Sequence, residues 1–177
     1  MYEEMEMRVY SLSRESEDFL GFENGGSLLD LSRAIVFYEA SRDTFFEETY
    51  RDIEELIWDN LFTMNYLGEV MEFVEKHSLS GDLAVKEGYD VNPPVYPGKI
   101  IALGNNYHSH IQEMKNKIPE EPVLFGKWPS AVIGNHCPIL KPNWIGNMSY
   151  EAELAFVIGQ AAKDTPRSEA MNCVAGY

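Results

Sequence analysis

The sequence predicts an α+β chain, with a small N-terminal β/helical domain followed by a β-rich second region. Three observations carry this reading. Short β-prone runs cluster in the first thirty residues, helical periodicity extends to His77, and a proline-rich break precedes a series of short apolar runs. The predicted domains are therefore 1–92, a linker at 93–98, and 99–177. The charge divides near the same place. Residues 1–90 hold 22 Asp/Glu against 7 Lys/Arg and residues 91–177 hold 7 of each, so the net charge of −15 belongs to the first region.

Taken in order, Arg8–Leu12 and Phe19–Glu23 are β-prone. Asn24-Gly25-Gly26 supplies residues that tolerate positive φ in a tight turn, and Ser27–Leu31 returns as a strand. From Arg33 the pattern turns helical, and Glu47–His77 is the most helical stretch. Tyr50, Ile53 and Ile57 mark one apolar stripe there, and Met64, Leu67, Met71 and Val74 another. Glu54, Glu55, Glu69, Glu72 and Glu75 fall on solvated faces. Asn92-Pro93-Pro94-Val95-Tyr96-Pro97-Gly98 can continue neither a helix nor a central strand.

Beyond it, Lys99–Leu103 reads as a buried strand, Tyr107–Lys115 as a short helix, and Val123–Lys127 as a second strand. Pro138-Ile139-Leu140 is a third candidate strand, and Tyr150–Gly159 is the clearest strand of the chain. Thr165-Pro166 is expected to open a helix running to about Val174, stopped by Gly176.

Composition excludes several classes. An acidic chain lacks the basic face that phosphate backbones require, so no nucleic-acid partner is expected. Met1–Met7 is acidic and no long apolar run follows, which predicts neither a signal peptide nor a membrane span. Cys137 and Cys173 lack metal or disulfide spacing, which fits a reduced, cytoplasmic setting. His136 and Cys137 read as structural.

The chemistry-bearing residues lie after the linker. In a strand, Glu151 and Glu153 would share one face, with Ala155 and Val157 behind them. Two carboxylates entering an apolar layer repel unless a cation joins them, and hard ions such as Mg²⁺ or Mn²⁺ take oxygen ligands. The competing reading is a half-exposed strand whose glutamates face water. On a helix, His110 and Glu113 are i, i+3 neighbours, and a carboxylate beside an imidazole fixes its tautomer and raises its basicity. Such a pair is also an ordinary surface contact. Lys127 closes an apolar strand, where it would meet a substrate carboxylate or reach back to water.

Together these segments resemble the fumarylacetoacetate hydrolase family, from about Pro97 to Tyr177. The specific parts are Asn106-Tyr107-His108-Ser109-His110-Ile111-Gln112-Glu113 and Tyr150-Glu151-Ala152-Glu153-Leu154, with Glu121–Lys127 and Val174–Tyr177 around them in the family's order. The resemblance implies that the second region is the first part of a mixed β-roll catalytic domain. It makes Glu151 and Glu153 two of three carboxylate metal ligands, the third being an aspartate in a segment after the Gly-Tyr that Gly176-Tyr177 matches. It makes His110 and Glu113 the acid/base dyad and Lys127 a substrate contact. Trp128 departs from the family, which often places proline directly after the lysine.

The expected function is hydrolysis of a C–C bond in a small β-diketo or acylpyruvate-type oxo-acid, dependent on Mg²⁺ or Mn²⁺. The alternatives are a decarboxylase, hydratase or isomerase using the same site, or an inactive fragment short of its third metal ligand. By resemblance the full-length form is expected to be a homodimer.

Overall fold

A computed structural model describes residues 7–44 and 49–177; the expectations for Met1–Glu6, Glu47 and Glu48 lie outside them. The chain folds as two compact units, one of Met1–Val95 with Gly134–Tyr177 and one of Tyr96–Ile133. The first division falls inside the predicted linker. The second sets 134–177 with the N-terminal residues by proximity.

The N-terminal part realises the predicted β unit. Strands β1 (Val9–Arg14), β2 (Glu17–Asn24) and β3 (Ser27–Asp30) form an antiparallel meander, and β4 (Asp90–Val91) adds to β1, giving the order β3-β2-β1-β4. Gly25 and Gly26 take φ of 56° and 81° between β2 and β3, the left-handed values that a two-residue hairpin turn needs. Register follows the apolar alternation. Leu20, Phe22 and Leu29 share the face turned to the core, whereas Leu12, paired with Phe19, is buried on the opposite face.

Three helices supply the other layer. α1 (Leu31–Ala40) is capped by the Asp30 carboxylate, which accepts from the Arg33 N–H at 2.9 Å. α2 (Ile53–Trp58) is capped by Asp52 and α3 (Met64–Lys76) by Thr63. A one-turn α4 (Ser80–Leu83) follows. The predicted helical stretch is thus two helices broken by Asp59–Thr63, where Asn60 takes φ 58°. The predicted stripes bury Tyr50, Ile53, Leu67, Met71 and Val74, whereas Met64 at the helix start is exposed. These side chains join Leu20, Phe22, Ile35, Leu56 and Leu83 in one core. Glu69, Glu72 and Glu75 face solvent as expected.

Polar groups between α1 and α3 are paired. Tyr66 donates to Glu39 at 2.7 Å, Tyr38 donates to Glu69, and the Arg42 guanidinium lies over the Tyr38 ring. Burial, helped by the neighbouring carboxylate, pushes the Tyr66 hydroxyl pKa well above its ordinary value. The proline-rich segment is tied down as well, because the Ser11 hydroxyl donates to the Pro94 carbonyl at 3.0 Å.

Within 134–177 regular structure is sparse. β7 (Val157–Ile158) pairs with β8 (Val174–Gly176), and a 3₁₀ turn spans Ala170–Cys173. Gly134 lies flat against the β4 backbone, so that a Cβ there would sit 2.4 Å from the Val91 carbonyl oxygen.

Three sequence expectations are corrected here. Tyr150–Gly159 is a strand only at Val157–Ile158, because a strand needs a ladder partner and among the described residues β8 reaches only those two. The helix expected from Thr165 to Val174 is reduced to the 3₁₀ turn, and Gly176 lies in β8 rather than at a helix stop. So short a segment needs an apolar face to bury, and Met171 is exposed. Pro138-Ile139-Leu140 is an exposed loop, flanked by prolines that cannot donate to a ladder.

In the second unit, β5 (Ile100–Gly104) and β6 (Val123–Lys127) form an antiparallel ribbon with α5 (His108–Glu113) between them in sequence. All three match their expected bounds within a residue or two, but β5, expected to be buried, leaves Ile101 and Leu103 exposed because no second layer packs on them. Ile111 alone is buried among the described residues of this unit.

Candidate functional site

α5 carries the histidine–glutamate pair because its ends are well specified. Asn105 leaves β5 at φ 53°, and Tyr107 starts the helix in an extended conformation. At the far end Lys115 takes φ 55°, the Lys115 N–H bonds the Gln112 carbonyl, and the Asn116 N–H bonds the Ile111 carbonyl at 3.0 Å. This is the paired 5→2 and 6→1 closure that usually employs glycine. The Asn116 side-chain amide also donates to the Asn105 carboxamide oxygen at 3.2 Å, bridging the two ends of the helical excursion. The sequence pattern marks Asn116 as the stop of α5, whereas the role of Asn105 emerges only in the structure, although an asparagine leaving a strand is a recognisable signal for positive φ.

His110 and Glu113 are brought together. The Nδ1–Oε2 distance is 4.0 Å, an ion-pair separation rather than a hydrogen bond, and both side chains are largely exposed. Lys127 is at the other end of the ribbon. It pairs with Ile100, four residues or roughly 13 Å of ladder from Gly104, where the chain leaves for α5. The Lys127 ammonium sits 5.9 Å from the Phe125 ring centroid. The ribbon alone therefore does not join the lysine to the dyad.

Glu151 and Glu153 are exposed, on a segment without regular structure from Tyr150 to Phe156. Their predicted shared strand face is not formed. As carboxylates two residues apart they suit a hard divalent cation in donor chemistry, but no group of three His, Cys, Asp or Glu side chains able to hold a metal occurs among the described residues. His136 and Cys137, expected to be structural, are both exposed, and His136 takes φ 60°.

Two clefts of about 390 and 250 Å³ occur in the N-terminal unit, the first beside Arg14, Asp30 and Arg33 and the second beside Phe62, Gly159 and Cys173. Neither contains any of the five site residues. No helix among the described residues is long and apolar enough to cross a membrane.

The helix, both ribbon strands and the two glutamates all fall within residues 99–177, which the profile described as "Fumarylacetoacetate (FAA) hydrolase C-terminal" matches throughout. Residues 99–177 are similar to the C-terminal domain of the fumarylacetoacetate hydrolase family. A relative from Dictyostelium discoideum, a fumarylacetoacetate hydrolase domain-containing protein 2 homolog, is 43% identical over 91 residues. That match spans 51% of this chain and 30% of the relative. The mitochondrial oxaloacetate tautomerase of Xenopus laevis is 41% identical over 85 residues, 48% of this chain and 27% of that protein. The matched segments thus span less than a third of these relatives. Among solved structures, a fumarylacetoacetate hydrolase from psychrophilic Exiguobacterium antarcticum superposes with a TM-score of 0.60 at 22% identity. It covers 96% of this chain with 53% of its own, a likeness of fold.

Proposed function

We propose that residues 99–177 are the first part of a family catalytic domain that hydrolyses a C–C bond in a small acylpyruvate-type oxo-acid. The pairing of His110 with Glu113 on α5, inside the family-matched segment, is the observation that carries this reading. Glu113 beside Nδ1 favours the tautomer with its proton on that nitrogen, which leaves Nε2 to accept a proton from water. The 4.0 Å separation is compatible with that role, because catalytic pairs in unliganded enzymes are often long. Lys127, at the end of β6, would balance charge on the substrate carboxylate. Glu151 and Glu153 would hold Mg²⁺ or Mn²⁺ together with a ligand from further polypeptide. When bound, such an ion stabilises enolate charge on a chelated oxo-acid. We propose a homodimer as the working assembly and the cytoplasm as its location.

The test is turnover of acylpyruvates with Mg²⁺ by this chain joined to the C-terminal remainder of the Dictyostelium relative. His110→Ala is expected to lower kcat about 10²-fold or more without changing the fold. Unchanged turnover in that variant would remove His110 as the base. The name of the Xenopus relative favours a second reading, in which the same dyad moves a proton within an oxo-acid and no bond is hydrolysed. A substrate panel that includes oxaloacetate separates the two.

A further inference from the structure

α5 has little besides its own ends to hold it. It is six residues long, well short of the ~12–15 residues below which an isolated helix is marginal in water. Ile111 is its one buried side chain, and Met114 just beyond it is 58% exposed. Tyr107 fills the N-cap position, where Ser, Thr, Asp or Asn is preferred. Both flanks carry left-handed residues that are not glycine, Asn105 at φ 53° and Lys115 at φ 55°. Such conformations persist only where surrounding contacts fix them. The backbone closure at Lys115 and Asn116 fastens the C-terminal end alone. The contact that spans both flanks is the 3.2 Å bond from the Asn116 amide to the Asn105 oxygen, eleven positions apart.

His110 and Glu113 depend on that helix. They meet at 4.0 Å because a helical turn brings residues i and i+3 to one side. In an extended chain the same spacing is about 10 Å, so unwinding α5 dissolves the pair. We infer that Asn105 and Asn116 are positioning residues for His110 and Glu113. Their side-chain bond clasps the excursion between β5 and β6, keeps α5 wound, and so keeps the carboxylate beside the imidazole. Tying two points eleven residues apart also removes freedom that an open loop would retain. The consequence for turnover rests on the acid/base reading of the pair; the clasp itself does not.

The experiment follows amide exchange and the His110 imidazole nitrogen NMR signals in this chain, with Glu113→Gln as the probe of the pair. Asn105→Gly deletes the acceptor yet suits φ 53°. Asn116→Ala deletes the donor and leaves its backbone N–H on the Ile111 carbonyl. Each should speed exchange at residues 111–116 by about 3–10-fold, the worth of one net hydrogen bond. Each should also cut the His110 signal displacement caused by Glu113→Gln by about a third or more, because the pair forms only on the wound helix. The double variant should go no further than either single one, since both remove the same bond. Asn105→Asp keeps an acceptor and tolerates positive φ, so its exchange should stay within about twofold of the unaltered chain.

Unchanged exchange in both single variants overturns the inference, as does an additive double variant. A full His110 response despite faster exchange overturns the positioning role. The same variants are then placed in this chain joined to the C-terminal remainder of the Dictyostelium relative. There kcat on acylpyruvates should fall by about threefold or more with KM within about twofold. Unchanged kcat in both single variants also overturns the positioning role. A weakened His110 response, with no turnover even by the unaltered joined protein, keeps the clasp and removes the proposed function.

Discussion

The stretch before residue 96 and the stretch after it spend their apolar residues in opposite ways. Among the described residues, sixteen of the eighteen buried apolar side chains lie between Leu12 and Leu83, and only Ile111 and Cys173 lie beyond. Of the large apolar side chains left exposed, all but Phe37, Trp58 and Met64 lie from Tyr96 onward. Yet the more acidic stretch is the one with the core, so composition does not explain the contrast. What differs is whether a second layer covers the strands. The N-terminal meander packs against helices in one core, whereas β6 is exposed along its whole length.

The largest test of this contrast is a pair of truncations. Leu20→Ala, at a fully buried position in the core, should cost about 2–5 kcal/mol in chemical denaturation. Leu124→Ala, on the exposed ribbon, should change stability by less than about 0.5 kcal/mol. Equal costs would break the comparison. Next comes Gly134→Ala, which sets a methyl group 2.4 Å from the Val91 carbonyl oxygen and must displace backbone. We expect a loss of about 1–3 kcal/mol. A neutral result would mean that 134–177 does not hold to β4 as closely as the geometry indicates.

The same contrast explains what was legible in the sequence. Asn24-Gly25-Gly26 announced its hairpin and the periodicity before His77 announced buried stripes, because turns and amphipathic helices are local devices. Val123–Lys127 was legible as a strand but not as half of an uncovered ribbon. Tyr150–Gly159 has sound strand alternation, but alternation says which side chains share a face and not whether a partner exists. The candidate site divides in the same way. His110 and Glu113, three residues apart on one helix, are brought together as spacing predicts. The shared face of Glu151 and Glu153 depended on a ladder that is absent from Tyr150–Phe156 among the described residues.

The polar seam of the N-terminal unit sets a third prediction. Tyr66→Phe leaves the buried Glu39 carboxylate short of a donor, at a cost of about 1–2 kcal/mol at pH 7. Tyr66 and Tyr50 both have raised hydroxyl pKa values, first through burial and then through Glu39 and Asp59 respectively. A raised folded-state pKa gives stability that is fully present below the ordinary value of 10.0 and lost as pH rises past it. Thermal melts should therefore fall from about pH 10 upward, with a slope per tyrosine below the ~1.4 kcal/mol per pH unit limit, because both hydroxyls retain some solvent. Tyr66→Phe should flatten that fall. An unchanged alkaline slope would show that the seam does not hold α1 to α3.

The smallest expected effect bears on the residues assigned the chemistry. Glu113→Gln removes one partner of an exposed pair separated by 4.0 Å, and exposed pairs of that kind contribute roughly 0–1 kcal/mol. The closure of α5 by Lys115 and Asn116 does not use the Glu113 side chain, so the helix should persist with a melting curve close to that of the unaltered chain. A near-zero cost is what a pair kept for chemistry should show, because nothing in the packing of Tyr96–Ile133 requires it. A cost above about 1 kcal/mol would instead make Glu113 part of what holds α5, and the second unit would then spend its charged residues on structure as the first one does.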